Sequence, residues 1–214
     1  MHTFLERIAK LKLVPMVVID NADTAEPFGD ALVKGGLPIA EITFRTPAAE
    51  ASIRALAKRG NLIVGAGTVL TPDQADRAID AGAQFIVAPG TNPKIVEHVL
   101  KHGLPMVPGV VTPSEVELAT SLGAAVLKFF PAETMGGVAT LKALAGPYPE
   151  ARFLPTGGIT PEMLPSYLRL NNVIACGGSW MAPRELIRAG RFDDITCLIE
   201  QAVKMIAALP AAAI

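Results

Sequence analysis

Eight short apolar runs rich in β-branched residues recur along the chain, and their spacing restricts the architectures open to it. They are VPMVVI at 14, AEITF at 40, LIVGAG at 62, FIVAP at 85, PMVPGV at 105, AVLKFF at 125, RFLPTGG at 152 and VIACGG at 173, so successive starts lie 20 to 27 residues apart. Each interval has room for one helix and two short loops, the pattern of parallel β-α units. The helix signals agree. TPDQADRAIDAGAQ opens on Thr71 with Pro72 at the first helical position and stops at Gly82. NPKIVEHVLKHG, TPSEVELATSLG and TPEMLPSYLRL repeat the opening device. Eight strands with eight crossovers predict an α/β fold of the (β/α)8 TIM-barrel type, with a doubly wound open sheet as the competing arrangement. Residues 2–12 read as an extra N-terminal helix that plugs the bottom of the barrel. No linker or composition shift marks a split, so residues 1–214 are expected to form one (β/α)8 barrel domain.

Composition narrows the function. Half of the 214 residues are apolar and 18% are charged, enough to bury a large core. A net charge of −1 with no run of like charges offers no footprint for nucleic acid or an anionic membrane, and points to a small-molecule ligand. No segment is long enough to span a bilayer. The opening MHTFLERIAKLKLVP carries charge throughout and does not read as a signal peptide. Cys176 and Cys197 match no metal or redox spacing and read as small buried residues with reduced thiols, which suits a cytoplasmic protein. The positive mean hydropathy suggests apolar surface covered by partner subunits. The tail AALPAAAI is apolar enough either to pack on a neighbour or to fray.

Polar residues stand where a barrel interior should be apolar. Active sites of such barrels sit at the carboxyl ends of the strands. Along AEITFRTP, alternation places Glu41, Thr43 and Arg45 on one face and Ala40, Ile42 and Phe44 on the other. Lys128 interrupts the apolar run VLKFF and shares a face with Val126 and Phe130. A lysine is rarely buried without a partner or a task. Burial among aromatic side chains, beside a cation such as Arg45, favours the neutral and nucleophilic amine that a Schiff base requires. Two plainer arrangements fit the same residues: Glu41 paired with Arg45 across the barrel mouth, and Lys128 snorkelling to Glu133.

The last two runs carry paired glycines. PTGGITPE leads through Gly157 and Gly158 towards a helix capped by Thr160, and CGGSW repeats the pair at Gly177 and Gly178 before Ser179. Bare backbone amides after the seventh and eighth strands are where such barrels hold a phosphate. GAGTVL at 65 lacks the third glycine of a dinucleotide fingerprint, so a nicotinamide cofactor is not expected. His98 and His102 have a spacing that suits zinc, but they lie away from every strand end and read as an exposed helix face, with His102 near the helix C-terminus.

A buried lysine, an inward glutamate and arginine and a late phosphate site describe a metal-free aldolase acting on a phosphorylated keto acid. The segments EITFRT, VGAGTVL, LKFFPAE, GGVATLKALAGP, RFLPTGGITP and GGSW resemble, in order and over nearly the whole chain, those of the 2-keto-3-deoxy-6-phosphogluconate (KDPG) aldolase family, which includes bifunctional KHG/KDPG aldolases. The resemblance implies a class I aldolase of the Entner-Doudoroff pathway, a homotrimer of (β/α)8 fold needing no metal or other cofactor. Such an enzyme cleaves 2-dehydro-3-deoxy-6-phosphogluconate to pyruvate and glyceraldehyde 3-phosphate and acts also on 4-hydroxy-2-oxoglutarate. It further implies that Lys128 forms the Schiff base, Glu41 is the general acid/base and Arg45 binds the pyruvyl carboxylate. Thr68, Pro89 and Phe130 would line the substrate pocket, Thr156 would contact a substrate hydroxyl, and Gly157, Gly158, Gly178 and Ser179 would hold the phosphate. Phe44 and Leu127, on the predicted outward faces, stand where other apolar residues are expected, a departure that puts nothing catalytic in doubt. The related galactonate-type aldolase looks to carry valine before its paired glycines, so Thr156 favours the gluconate substrate. The rival outside this class is a phosphosugar-binding or isomerising barrel in which Lys128 acts only as a charge.

Overall fold

The computed structural model describes residues 2–209; the last five residues of the apolar tail lie outside them. The chain opens on α1 (His2–Leu11), whose Phe4 ring packs 4.8 Å from that of Phe85. Nine parallel strands follow among the described residues: β1 (Leu13–Val17), β2 (Ile39–Thr43), β3 (Ile63–Gly67), β4 (Phe85–Val87), β5 (Met106–Val107), β6 (Gly109–Val110), β7 (Leu127–Phe129), β8 (Phe153–Pro155) and β9 (Cys176–Gly178). Between them run α2 (Ala25–Lys34), α3 (Ala49–Lys58), α4 (Pro72–Asp80), α5 (Pro93–Lys101), α6 (Pro113–Ser121), α7 (Gly137–Ala145) and α8 (Leu164–Leu168), and α9 (Arg184–Arg188) and α10 (Phe192–Ala207) close the chain.

The hydrogen-bonded strand order is β5-β4-β3-β2-β1-β9 in one sheet and β6-β7-β8 in the other. The fifth apolar run thus yields two strands rather than one. Pro108 stands between them, and proline has no N–H to donate to a ladder. On one side of it β5 pairs with β4, and on the other β6 pairs with β7. At the opposite junction, single bridges join Phe153 to Val173 and Thr156 to Gly177. The result is a curled parallel sheet with helices outside.

Most strand positions are buried on both faces, which explains why the runs read as continuous apolar stretches. Phe28 and Leu32 of α2, Ile53 and Leu56 of α3, and Ile195 and Ile199 of α10 bury their side chains completely, each stabilising the fold by about 1.5–3 kcal/mol. The caps behave as their residues dictate. Thr71 accepts from the Gln74 amide, Asn92 from Lys94, and Thr112 forms a reciprocal box with Glu115. Thr160 differs: it gives no side-chain cap, and its hydroxyl donates to Glu162 at 2.6 Å. The segment expected as one helix there splits into a 3-10 turn (Pro161–Met163) and the short α8. Pro165 inside it lacks the N–H that a continuous helix would need.

Candidate active site

Among the described residues, Glu41 and Lys128 are the charged side chains that are buried, 1% and 4% exposed. They lie on strands that do not pair, Glu41 between Met16 and Gly65, Lys128 between Gly109 and Leu154. Their side chains reach across the interior, and Lys128 Nζ donates to Glu41 Oε1 at 3.1 Å. Both simpler pairings considered from sequence are absent: Lys128 does not pair with Glu133, and Glu41 does not pair with Arg45. Glu133 instead accepts from the Tyr167 hydroxyl. Burial, followed by that hydrogen bond, pushes the Tyr167 phenol well above its ordinary range.

Backbone geometry makes room for the pair. A Cβ at Gly67 would come within 2.1 Å of Glu41 Oε1, so β3 can pass beside the carboxylate only without a side chain there. Gly65 does the same for the Phe85 ring, which a Cβ would meet at 2.2 Å. These two residues lie in the quoted GAGTVL segment, and alternation puts them on one face. Their role as space for a carboxylate could be read only once Glu41 was known to face them. Thr43, expected on the inward face, donates its hydroxyl to the Val17 carbonyl at 2.9 Å and ties β2 to β1.

The remaining candidates gather at the carboxyl ends of the strands. Arg45 lies two residues past β2 and is exposed rather than inside with Lys128; its Nε donates to Thr68 Oγ1 at 3.3 Å. The reason is local: the strand ends at Thr43, and Arg45 N–H turns back to the Thr43 carbonyl, so alternation no longer sets its direction. Of the two charges expected beside Lys128, Glu41 is in contact with it and Arg45 is not. Thr68 follows β3 directly with φ +56°, an uncommon conformation for a threonine. Pro89, just after β4, approaches β6 so closely that a Cβ at Gly109 would meet its carbonyl oxygen at 2.0 Å. Phe130 follows β7 and sets its ring centroid 5.4 Å from Lys128 Nζ.

Thr156 follows β8 directly; its amide donates to the Phe129 carbonyl and its own carbonyl accepts from Ala132. Its hydroxyl is buried without a protein partner, as is Glu41 Oε2. Buried polar atoms are ordinarily hydrogen-bonded, so both are groups a substrate can satisfy. Gly177 faces the Thr156 hydroxyl, which a Cβ there would meet at 2.3 Å. Gly157 and Gly158 turn the chain with φ +107° and +79°, a region glycine enters freely. Gly178 ends β9, and the exposed Ser179 follows it. Across the same rim, Arg184 forks onto Asp20 through Nε at 2.8 Å and Nη2 at 2.5 Å, and this contact holds the Asp20 carboxyl below its usual range.

Two titratable nucleophiles stand apart from this site. Cys176 is buried, and burial pushes its thiol far up. Cys197, expected to be buried, is exposed on α10.

The family model described as KDPG and KHG aldolase matches residues 5–198. The 2-dehydro-3-deoxy-phosphogluconate aldolase of Treponema pallidum is 44% identical over 207 residues, covering 96% of this chain and 99% of that protein. The chain belongs to the KDPG and KHG aldolase family. Solved aldolase structures share its fold. A Zymomonas mobilis 2-keto-3-deoxy-6-phosphogluconate aldolase with 3-phosphoglycerate superposes with a TM-score of 0.88 at 37% identity, covering 98% of each chain. A Legionella pneumophila KDPG aldolase, with pyruvate captured as a covalent carbinolamine, gives 0.86 at 37% identity, covering 89% of this chain and 93% of that one.

Proposed function

We propose that this family member is a class I aldolase that cleaves 2-dehydro-3-deoxy-6-phosphogluconate reversibly to pyruvate and glyceraldehyde 3-phosphate, and that acts also on 4-hydroxy-2-oxoglutarate. The observation that carries the reading is the buried Lys128–Glu41 pair at 3.1 Å. An amine nucleophile must first shed a proton, and the carboxylate in contact with it is a base positioned to take that proton. Pyruvate held covalently in the Legionella relative supports imine chemistry, and 3-phosphoglycerate in the Zymomonas relative supports a phosphorylated three-carbon product.

With its proton passed to Glu41, Lys128 Nζ attacks the C2 carbonyl to form a carbinolamine, whose hydroxyl takes that proton back and leaves as water, giving a protonated imine and an ionised Glu41. Glu41 accepts the C4 hydroxyl proton as the C3–C4 bond breaks, and the bond's electrons move into the imine to leave an enamine. The aldehyde departs. The enamine is then protonated at C3, and water releases pyruvate and restores the amine. The imine itself is the electron sink, so the reaction needs no metal or other cofactor. Arg45 offers its planar fork to the pyruvyl carboxylate beside Thr68, with Pro89 and Phe130 lining the pocket. Thr156 contacts a substrate hydroxyl, and the amides around Gly157, Gly158 and Gly178 with Ser179 hold the phosphate. Binding energy from that remote phosphate fixes C4 beside Glu41.

The finer architecture belongs to the same reading: residues 1–214 form one domain, and its sheet closes into a (β/α)8 barrel. The change of partner at Pro108 and the two β8–β9 bridges support closure. The assembly is a homotrimer, supported by apolar side chains left exposed at Val33, Leu70, Leu118 and Met135. A cytoplasmic location agrees with the finding that no described helix is long and apolar enough to cross a membrane.

Incubation with pyruvate and sodium borohydride, followed by peptide mass spectrometry, tests the chemistry. A reduced pyruvyl adduct on Lys128, absent from a Lys128→Ala variant, is expected. A folded protein that forms no adduct would reassign Lys128 as a fixed charge in a non-covalent phosphosugar barrel. Glu41→Gln is expected to trap pyruvate still, but more slowly for want of the base beside Lys128, while turnover falls by about 10²–10⁴-fold, and normal turnover would remove Glu41 from the proton transfers.

A further inference from the structure

We infer that Asp76, His98 and His102 form a surface site for a divalent transition metal that clips α4 to α5, apart from the lysine centre. Asp76 projects from α4, and His98 and the capping His102 stand one turn apart on α5. The Asp76 Oδ1 atom lies 2.6 Å from His98 Nε2 and 4.0 Å from His102 Nε2, and all three ligand atoms fall within 4.8 Å of one another.

The second observation concerns the proton on His102. Its Nδ1 lies 2.8 Å from the His98 carbonyl oxygen, which can only accept, so in the neutral ring Nδ1 carries the hydrogen. Nε2 then presents its lone pair on the side of Asp76. A metal-ligating imidazole is oriented by this kind of hydrogen bond from its other nitrogen. A His98–Asp76 ion pair accounts for the 2.6 Å contact; the looser 4.0 Å approach of His102 Nε2 to the same oxygen is what an ion held among the three would tighten.

The donor set selects the ion. Two imidazoles and one carboxylate suit zinc, copper, nickel or cobalt, whereas magnesium and calcium prefer all-oxygen sites. Zinc bonds of about 2.0–2.1 Å place tetrahedral ligands roughly 3.3 Å apart, against separations of 2.6 Å, 4.0 Å and at most 4.8 Å, so side-chain rotations of about an ångström at each ligand close the site. The ligands are 27–49% exposed, which admits the ion and leaves its fourth position to water.

Isothermal titration of untagged, chelator-stripped protein with zinc, nickel and magnesium chlorides tests the assignment. One zinc and one nickel per chain are expected, with no saturable magnesium. His102→Ala and Asp76→Asn should each weaken zinc at least tenfold while aldolase turnover stays unchanged, and Cys197→Ser should leave affinity unaltered. In unmodified protein, zinc should shift the Nε2 resonances of both His98 and His102, a readout that depends on no variant folding. Absence of saturable zinc binding would overturn the proposal. So would affinity indifferent to His102, which leaves only an ion pair, or affinity that follows Cys197.

Discussion

Lys128 and Glu41, 87 residues apart in the chain and on strands that do not pair with each other, meet at 3.1 Å in an interior that is otherwise largely apolar. Each charge is tolerated there because of the other, since an ion taken out of water costs several kcal/mol when uncompensated. Lys128→Met and Glu41→Gln should therefore each lower the free energy of unfolding by roughly 3–5 kcal/mol, and the double variant should lose less than the sum. Urea denaturation of the four proteins measures the coupling. Strictly additive losses would show that the two side chains are stabilised independently, by contacts other than their own pair.

Gly65 and Gly67 lie two residues apart on β3 and predict separable defects. A Cβ at Gly67 would displace Glu41 Oε1, and a Cβ at Gly65 would press into the Phe85 ring, which is itself packed on Phe4. Overpacking of a close interior costs about 1–3 kcal/mol, whereas a misplacement of about 1 Å in a catalytic group can cost 10²-fold in rate. Gly67→Ala is expected to lose about a hundredfold in kcat with a modest shift in Tm. Gly65→Ala should lose stability first and retain kcat in whatever fraction folds. Equal kcat in Gly67→Ala and the parent would mean that the carboxylate has room to move.

The parts of this architecture legible in sequence are those set by period and punctuation. Each of the eight apolar runs holds strand residues, and the Thr-Pro and Asn-Pro signals mark real helix starts at Thr71, Asn92 and Thr112. Reading failed where one residue cancels a pattern: Pro108 divides the fifth run and Pro165 shortens the helix after Thr160. It failed again where alternation was carried past the end of a strand, which is why Arg45 is exposed at the rim. Partners distant in sequence were only partly legible. An inward glutamate and an inward lysine could be expected to share an interior, but the choice of Glu41 over Glu133 depends on the order of strands. The helical period groups His98 with His102, yet it cannot say which residue of α4 faces them.

The two cysteines should behave oppositely towards thiol reagents. Only the thiolate reacts; burial raises the Cys176 thiol on β9, where its backbone pairs with Leu13, while Cys197 is exposed with a Gln201 amide 3.7 Å from its sulfur. Native protein should react rapidly with a disulfide reagent at one thiol per chain, mapped to Cys197, and the second thiol should appear only on unfolding. Fast reaction at both positions would mean that the β1–β9 pairing opens readily in the native state.

The box at the start of α6 couples acid stability to the loop that follows β6. Glu115 Oε2 accepts from the Thr112 and Val111 amides, each at 2.8 Å, and from the Thr112 hydroxyl at 2.9 Å. The Thr112 amide leads in holding this carboxyl below its ordinary value of 4.5, against an opposing effect of partial burial. A carboxyl whose folded value is depressed contributes stability in full above its unfolded value and loses it as pH falls through the folded one. Glu115→Gln, which keeps the shape but not the charge, should cost about 1 kcal/mol at neutral pH. The difference from the parent should shrink progressively below pH 4.5, the ordinary value, as the parent's carboxyl protonates. Denaturation midpoints of both proteins across the acid range measure this directly. A gap that stays constant down to the most acid pH at which both fold would mean that the ionised carboxylate contributes nothing beyond its shape.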